Sequence, residues 1–128
     1  QTIKKRFKII SYLKKKLEEQ STLCKIQNFS KYDSPFFITV NFKKNNFIKK
    51  IDFANKLLNL GVPLNPNYKY LTTDWPWLKK YLVDKFVPKN AKEIINNSYN
   101  LYINENYTKK DIDFIVDKIF SLEKYYCK

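Results

Sequence analysis

The stretch Asn100 to Tyr126, NLYINENYTKKDIDFIVDKIFSLEKYY, carries three consistent signals in a row. Leu101 and Ile103 alternate with Tyr102 and Asn104, the period of two that marks a short, half-buried strand. Asn104-Glu105-Asn106-Tyr107 is a polar turn whose asparagines tolerate unusual backbone angles. Thr108 then precedes Asp111 by three residues, the spacing at which a hydroxyl caps the first free amides while the carboxylate reaches back. That carboxylate also lies at the positive end of the helix dipole. Ile112, Ile115, Val116, Ile119 and Phe120 recur at three- and four-residue intervals and form one apolar face, with Lys109, Lys110, Asp113, Asp117 and Lys118 left for water. A strand, a turn and a capped helix with one face to bury are therefore expected here.

Upstream, Pro35 to Phe42 (PFFITVNF) is dense in aromatic and β-branched residues and is the strongest strand in the chain. Asn46 is placed to cap a following helix in which Phe47, Ile51, Ala54 and Leu58 share a face, and Gly61 is placed to end it in the left-handed conformation. Val62 to Leu64 continue as an extended segment restrained by Pro63 and Pro66. At the start, Ile3, Phe7, Ile10, Leu13 and Leu17 predict an amphipathic helix over Thr2 to Glu19. Glu18 and Glu19 stand at the end where the dipole prefers bases, which leaves that end prone to fray. Gln20 to Asp33 reads as a loop with a short strand around Leu23 to Ile26. Between Tyr70 and Phe86, Asp74 as a cap and Pro76 in a first turn predict a short amphipathic helix of Leu78, Tyr81, Leu82 and Phe86. Asn90 and Glu93 open one more helical turn, with Ile94 and Ile95 facing inwards.

The 128 residues suit one domain, and 44% apolar and 17% aromatic content with a single glycine is neither disordered nor fibrous. The lysine-rich N-terminus has no hydrophobic signal core and no run of apolar residues is long enough for a membrane span, so a soluble, cytoplasmic protein is expected. Cys24 and Cys127 lack CxxC spacing and read as free thiols. The chain opens at Gln1 without an initiator methionine, which reads as a piece of a longer polypeptide. A net charge of +13 raises the question of nucleic acid, but Arg6 is the single arginine and the lysine doublets are scattered among elements. The lysines are best explained as solvated surface. With no histidine, the usual catalytic triads and most zinc sites are excluded, and Gly61 alone cannot build a phosphate-cradling loop. Catalysis by this piece alone is not expected.

Two motifs carry a resemblance. Leu101 to Val116, LYINENYTKKDIDFIV, resembles the C-terminus of the DegT-type sugar aminotransferases, and Gly61 to Tyr68, GVPLNPNY, resembles that family's "GIP...HY" segment. The resemblance implies the C-terminal small domain of a fold type I pyridoxal-phosphate enzyme that aminates nucleotide-linked keto sugars. The implied fold is α+β, a small two-layer domain with a few-stranded sheet packed with helices. Residues 1–128 then form a single domain, with 1–19 as the helix linking to a large cofactor domain and 34–128 as the small domain proper. The resemblance places the Schiff-base lysine and the acid that pairs with the pyridine nitrogen in the large domain, so pyridoxal phosphate would be held there. It implies a homodimer, a nucleotide-sugar substrate and an amino-acid donor. Asn65, Asn67 and Tyr68 become candidate substrate-binding residues near the active-site entrance, with plain turn chemistry as the alternative. Asn67 stands where the family commonly has histidine, which removes any role that needs imidazole but leaves an amide able to donate and accept. Trp75 and Trp77, with Tyr68 and Tyr70, could stack on a base or sugar ring, or pack an interface or core. The alternative functions are a free-standing basic module for nucleic acid or another polyanion, and a non-catalytic remnant of the aminotransferase fold.

Overall fold

The computed structural model describes residues 1–30, 32–43, 47–68, 70–84 and 86–127, with Phe47 and Ile48 described by backbone alone. The cap expected from Asn46 and the inward side chain expected from Phe47 lie outside the described residues. The elements, in order, are α1 (Thr2–Gln20), β1 (Cys24–Ile26), β2 (Phe37–Phe42), α2 (Phe47–Asn59), β3 (Leu64–Asn65), α3 (Lys89–Asn96), β4 (Ser98–Tyr102) and α4 (Lys109–Tyr126), with two 3₁₀ turns at Thr72–Asp74 and Pro76–Tyr81. The fold is α+β.

The four strands form an antiparallel sheet in the order β1-β2-β4-β3, so the aromatic-rich Phe37–Phe42 strand has both edges paired. Alternation sorts the side chains between the two faces. Cys24, Ile26, Ile38, Val40, Phe42, Leu64, Tyr99 and Leu101 belong to a buried core shared with Ile10, Leu13 and Leu17 of α1, Phe53, Ala54 and Leu57 of α2, and Ile112, Ile115, Val116 and Ile119 of α4. The opposite face carries a row that crosses two strand pairings: Thr39 stands opposite Asn100, and Asn100 opposite Asn65. Thr39 Oγ1 donates to Asn100 Oδ1 at 3.0 Å.

The organising stretch folds as its pattern predicts. Leu101 and Ile103 are buried while Tyr102 and Asn104 are exposed. Thr108 and Asp111 form the full capping box: the Asp111 amide donates to Thr108 Oγ1, and the Thr108 amide donates to Asp111 Oδ2 at 2.6 Å. The backbone and hydroxyl donors of Thr108 hold the Asp111 carboxyl below its ordinary value. Arg6 reaches from α1 to the preceding turn and donates to Glu105 Oε2 at 2.9 and 2.7 Å, so turn and first helix are tied together.

The C-terminal end of α1 does not stop short. It runs to Gln20, and the Ser21 amide closes it on the Leu17 carbonyl at 2.9 Å. Beyond it, the buried carboxylate of Glu123 on α4 collects the corner that leads into β1. Ser21 Oγ donates to it at 2.5 Å, and the amides of Thr22, Leu23 and Cys24 donate at 2.9, 3.1 and 3.1 Å. A carboxylate buried at this depth is tolerated because each oxygen meets several donors.

Three readings of the pattern are corrected. The buried face of α2 is Lys50, Phe53, Ala54 and Leu57, whereas Leu58 is 42% exposed and Ile51 only half-buried. The sheet beneath offers Phe42 and Tyr99 to Phe53, ring centroids 5.5 and 6.3 Å away, and this aromatic packing rotates the helix from the face on which Ile51 and Leu58 would have been central. Gly61 ends the helix as expected, at φ +86, with its amide on the Leu58 carbonyl and the Val62 amide on the Leu57 carbonyl, the paired bonds of a Schellman motif. The second correction is over Tyr70–Phe86, where no α-helix forms among the described residues. Asp74 makes no cap, Pro76 opens a 3₁₀ turn, and Leu82 and Phe86 lie exposed outside it. Two sharp 3₁₀ turns with an extended Trp75 between them leave no stretch long enough for an amphipathic face. Likewise α3 begins after Pro88 without a side-chain cap, and Ile94 points outwards, 58% exposed. Among the described residues, no helix is long and apolar enough to cross a membrane.

Candidate functional site

Strand β3 ends at Asn65, and the chain turns immediately through Pro66, Asn67 and Tyr68. The turn is closed by its own side chains: the Asn67 amide donates to Asn65 Oδ1 at 3.1 Å, an Asx turn. A second hold comes from α2. Lys50, fully enclosed at 0% exposure, directs its Nζ to the Pro66 carbonyl at 3.3 Å and to Asn67 Oδ1 at 3.4 Å. Tyr68 lies outside this clamp, 46% exposed, with its ring edge-to-face on Tyr70 at 5.7 Å.

Lys50 corrects the view of the lysines as surface. It is buried because Phe53, Ala54 and Leu57 follow it by three, four and seven residues, which places it on the inner stripe of α2. That spacing is visible in the sequence, but a lysine is ordinarily assigned to water, and the apolar Ile51 next to it points to a different face. Burial pushes its amine down from 10.5 to about 8. The unfolded chain therefore holds a proton that the folded chain has lost between these values, and folding is favoured as pH rises through that window. Urea unfolding of the native chain and Lys50→Met at pH 7.5 and 9.5 checks this: the native chain gains about 2 kcal/mol relative to the variant across the interval.

Of the sequence-predicted site residues, the structure brings Asn65 and Asn67 together and sets Tyr68 beside them at the surface. It does not build the four-ring platform. Trp75 and Trp77 pair with each other at 5.4 Å and Tyr68 pairs with Tyr70, and among the described residues no ring contact joins the pairs. From the first 3₁₀ turn to the end of α3 no element buries a residue, and this arm exposes Trp77, Tyr81, Val83, Phe86, Val87 and Ile94, each by more than half. So many large apolar side chains on one segment are typical of a surface made to be covered.

Chemically, the turn offers hydrogen-bond donors, acceptors and two phenol rings. Lys50 is ill suited to carry an aldehyde cofactor, because its amine is enclosed and engaged with Pro66 and Asn67. Cys24 is buried with Sγ 3.4 Å from the Tyr99 hydroxyl, and burial pushes its thiol well up; Cys127 is free and exposed. Among the described residues, no three His, Cys, Asp or Glu side chains are grouped to hold a metal.

No family model matches the chain, and no curated protein matches it in sequence. Solved structures do match in shape. The chain is similar to Helicobacter pylori PseC, an aminotransferase involved in the biosynthesis of pseudoaminic acid, with TM-score 0.80 and 11% identity over 96% of this chain and 33% of that one. It is similar to the putative sugar aminotransferase Spr1654 from Streptococcus pneumoniae, with TM-score 0.77 and 11% identity over 96% of this chain and 31% of that one. A third likeness is to the E. coli GDP-4-keto-6-deoxy-D-mannose-3-dehydratase with bound hydrated PLP, with TM-score 0.74 and 18% identity over 92% and 31%. At these identities the shared property is the fold. The chain spans about a third of the length of each enzyme, and nearly all of it is used. Its fold is thus that of a domain within sugar aminotransferases, as the resemblance to their C-terminal small domain led one to expect.

Proposed function

We propose that this chain works as the small C-terminal domain of a pyridoxal-phosphate-dependent aminotransferase acting on a nucleotide-linked keto sugar. In this reading α1 connects to a large domain that holds the cofactor, the Asn65–Tyr68 turn borders the sugar, and the exposed arm packs where the enzyme closes or dimerises. The observation that carries it is the match of nearly the whole chain to about one third of several such enzymes. The two motifs and the uncovered arm support it independently, since Trp77, Tyr81 and Phe86 need a surface to bury them. When bound, the cofactor supplies an electron sink for amino transfer, and this chain's share is to bind, orient and exclude water.

The test is made on the product of the whole reading frame. A cofactor absorbance between about 320 and 430 nm that borohydride abolishes is expected, because a lysine-bound pyridoxal phosphate is both coloured and reducible. A full-length product that shows no such band, even with pyridoxal phosphate added, overturns the reading.

A further inference from the structure

A lysine on the inner face of a helix costs desolvation that a leucine or methionine there would avoid, so what its amine holds is informative. Lys50 comes from α2, yet its Nζ reaches one short turn at two points: the Pro66 carbonyl at 3.3 Å and Asn67 Oδ1 at 3.4 Å. The contact to Asn67 has a chemical consequence. An amide side chain can present either its oxygen or its NH2 group, and an ammonium can only donate. The Asn67 oxygen must therefore face Lys50, and the backbone bond from Asn67 to Asn65 Oδ1 holds the residue so that it cannot simply swing away.

We propose that Lys50 is the positioning residue of the Asn65–Tyr68 turn, fixing the Asn67 amide with its NH2 outwards so that the turn presents a hydrogen-bond donor. The ligand atom it suits is an acceptor oxygen, such as a hydroxyl, a ring oxygen or a carbonyl of a sugar. The ligand side of this inference rests on the aminotransferase reading above. The clamp itself does not.

The clamp is tested by amide NMR of the 128-residue chain and Lys50→Met, which keeps length and apolar volume and removes the donor. With the Asn67 acceptor released, the Asn67 backbone amide exchanges with solvent at least about tenfold faster and its two side-chain NH2 signals move to free-amide positions, as loss of one hydrogen bond to a charged group implies. The melting temperature stays equal or rises, a split that a purely structural lysine would not give. Exchange at Asn67 within about twofold of the native chain overturns the proposal, since a hydrogen bond that holds the turn must slow its opening. Asn67→Asp is the second variant, and it remains informative if Lys50→Met does not fold. It sets a carboxylate against the amine, so the Lys50 Cε titration must move up from about 8 towards its ordinary range. An unmoved titration shows that the two groups are not in contact and also overturns the proposal. A nucleotide-linked keto sugar that is turned over by the full-length enzyme yet leaves the Asn67 signals unshifted, while both variants behave as described, sinks the site assignment and leaves the clamp standing.

Discussion

Replacement of Glu123 by alanine is expected to destabilise the chain by about 3–5 kcal/mol, because removing a buried carboxylate that receives several donors strips the Leu23 amide of its acceptor and leaves the Ser21 hydroxyl and the Cys24 amide with only each other's residue to bond. The donors are the hydroxyls of Ser21 and Thr22 and the amides of Thr22, Leu23 and Cys24, from four successive residues at the corner between α1 and β1. The Leu23 and Cys24 side chains are buried beside them, at 4% and 1% exposure, so their amides have poor access to replacement water. Thr22 lies at the surface and recovers part of its loss by hydration. The damage also spreads beyond the corner, since β1 is an edge strand whose hydrogen-bonded neighbour in the sheet is β2. Glu123→Gln keeps one acceptor oxygen but turns an NH2 group towards donors, and about 2–3 kcal/mol is expected to be lost. Urea unfolding followed by circular dichroism decides both. A change below about 1 kcal/mol in Glu123→Ala would mean that the corner is held by its backbone bonds and that water replaces the carboxylate freely.

What the sequence disclosed and what it hid divide along a physical line. Patterns read correctly are those in which one local rule acts alone: the Thr108–Asp111 box, the alternation at Leu101 and Ile103, and the left-handed Gly61. Each is settled within four residues and needs no knowledge of what lies opposite. Glu123 shows the limit. On the helix ladder it is one more charged residue near the end of α4, and its burial follows from a corner about a hundred residues away in sequence. Lys50 is hidden for the same reason, since its partners belong to a turn that only folding brings against α2. The arm failed differently. Its Asp74, Pro76 and apolar spacing point to a helix, yet Leu82 and Phe86 are 41% and 65% exposed, and a helix gets most of its stability from burying a face. The turn through Asn65, Asn67 and Tyr68 was legible as a segment, but its support from Lys50 was not.

The face of α2 carries the other large expectation. Phe53→Ala should destabilise the chain by about 3–5 kcal/mol, the range for removing a fully buried aromatic ring when the cavity cannot collapse. Collapse is hindered here because the ring is held from three directions: Phe42 on β2, Tyr99 on β4 and Tyr126 on α4, with centroids at 5.5, 6.3 and 5.5 Å. Phe53 is 0% exposed, whereas Leu58, central to the face read from the sequence, is 42% exposed. Leu58→Ala thus serves as the control, with a loss of about 1 kcal/mol or less for a half-exposed leucine. The ratio between the two variants measures the rotation of α2 directly. Equal losses would return the helix to the other face and lift Lys50 away from the Asn67 turn, so a pair of denaturation curves on core variants also tests the geometry on which the site depends.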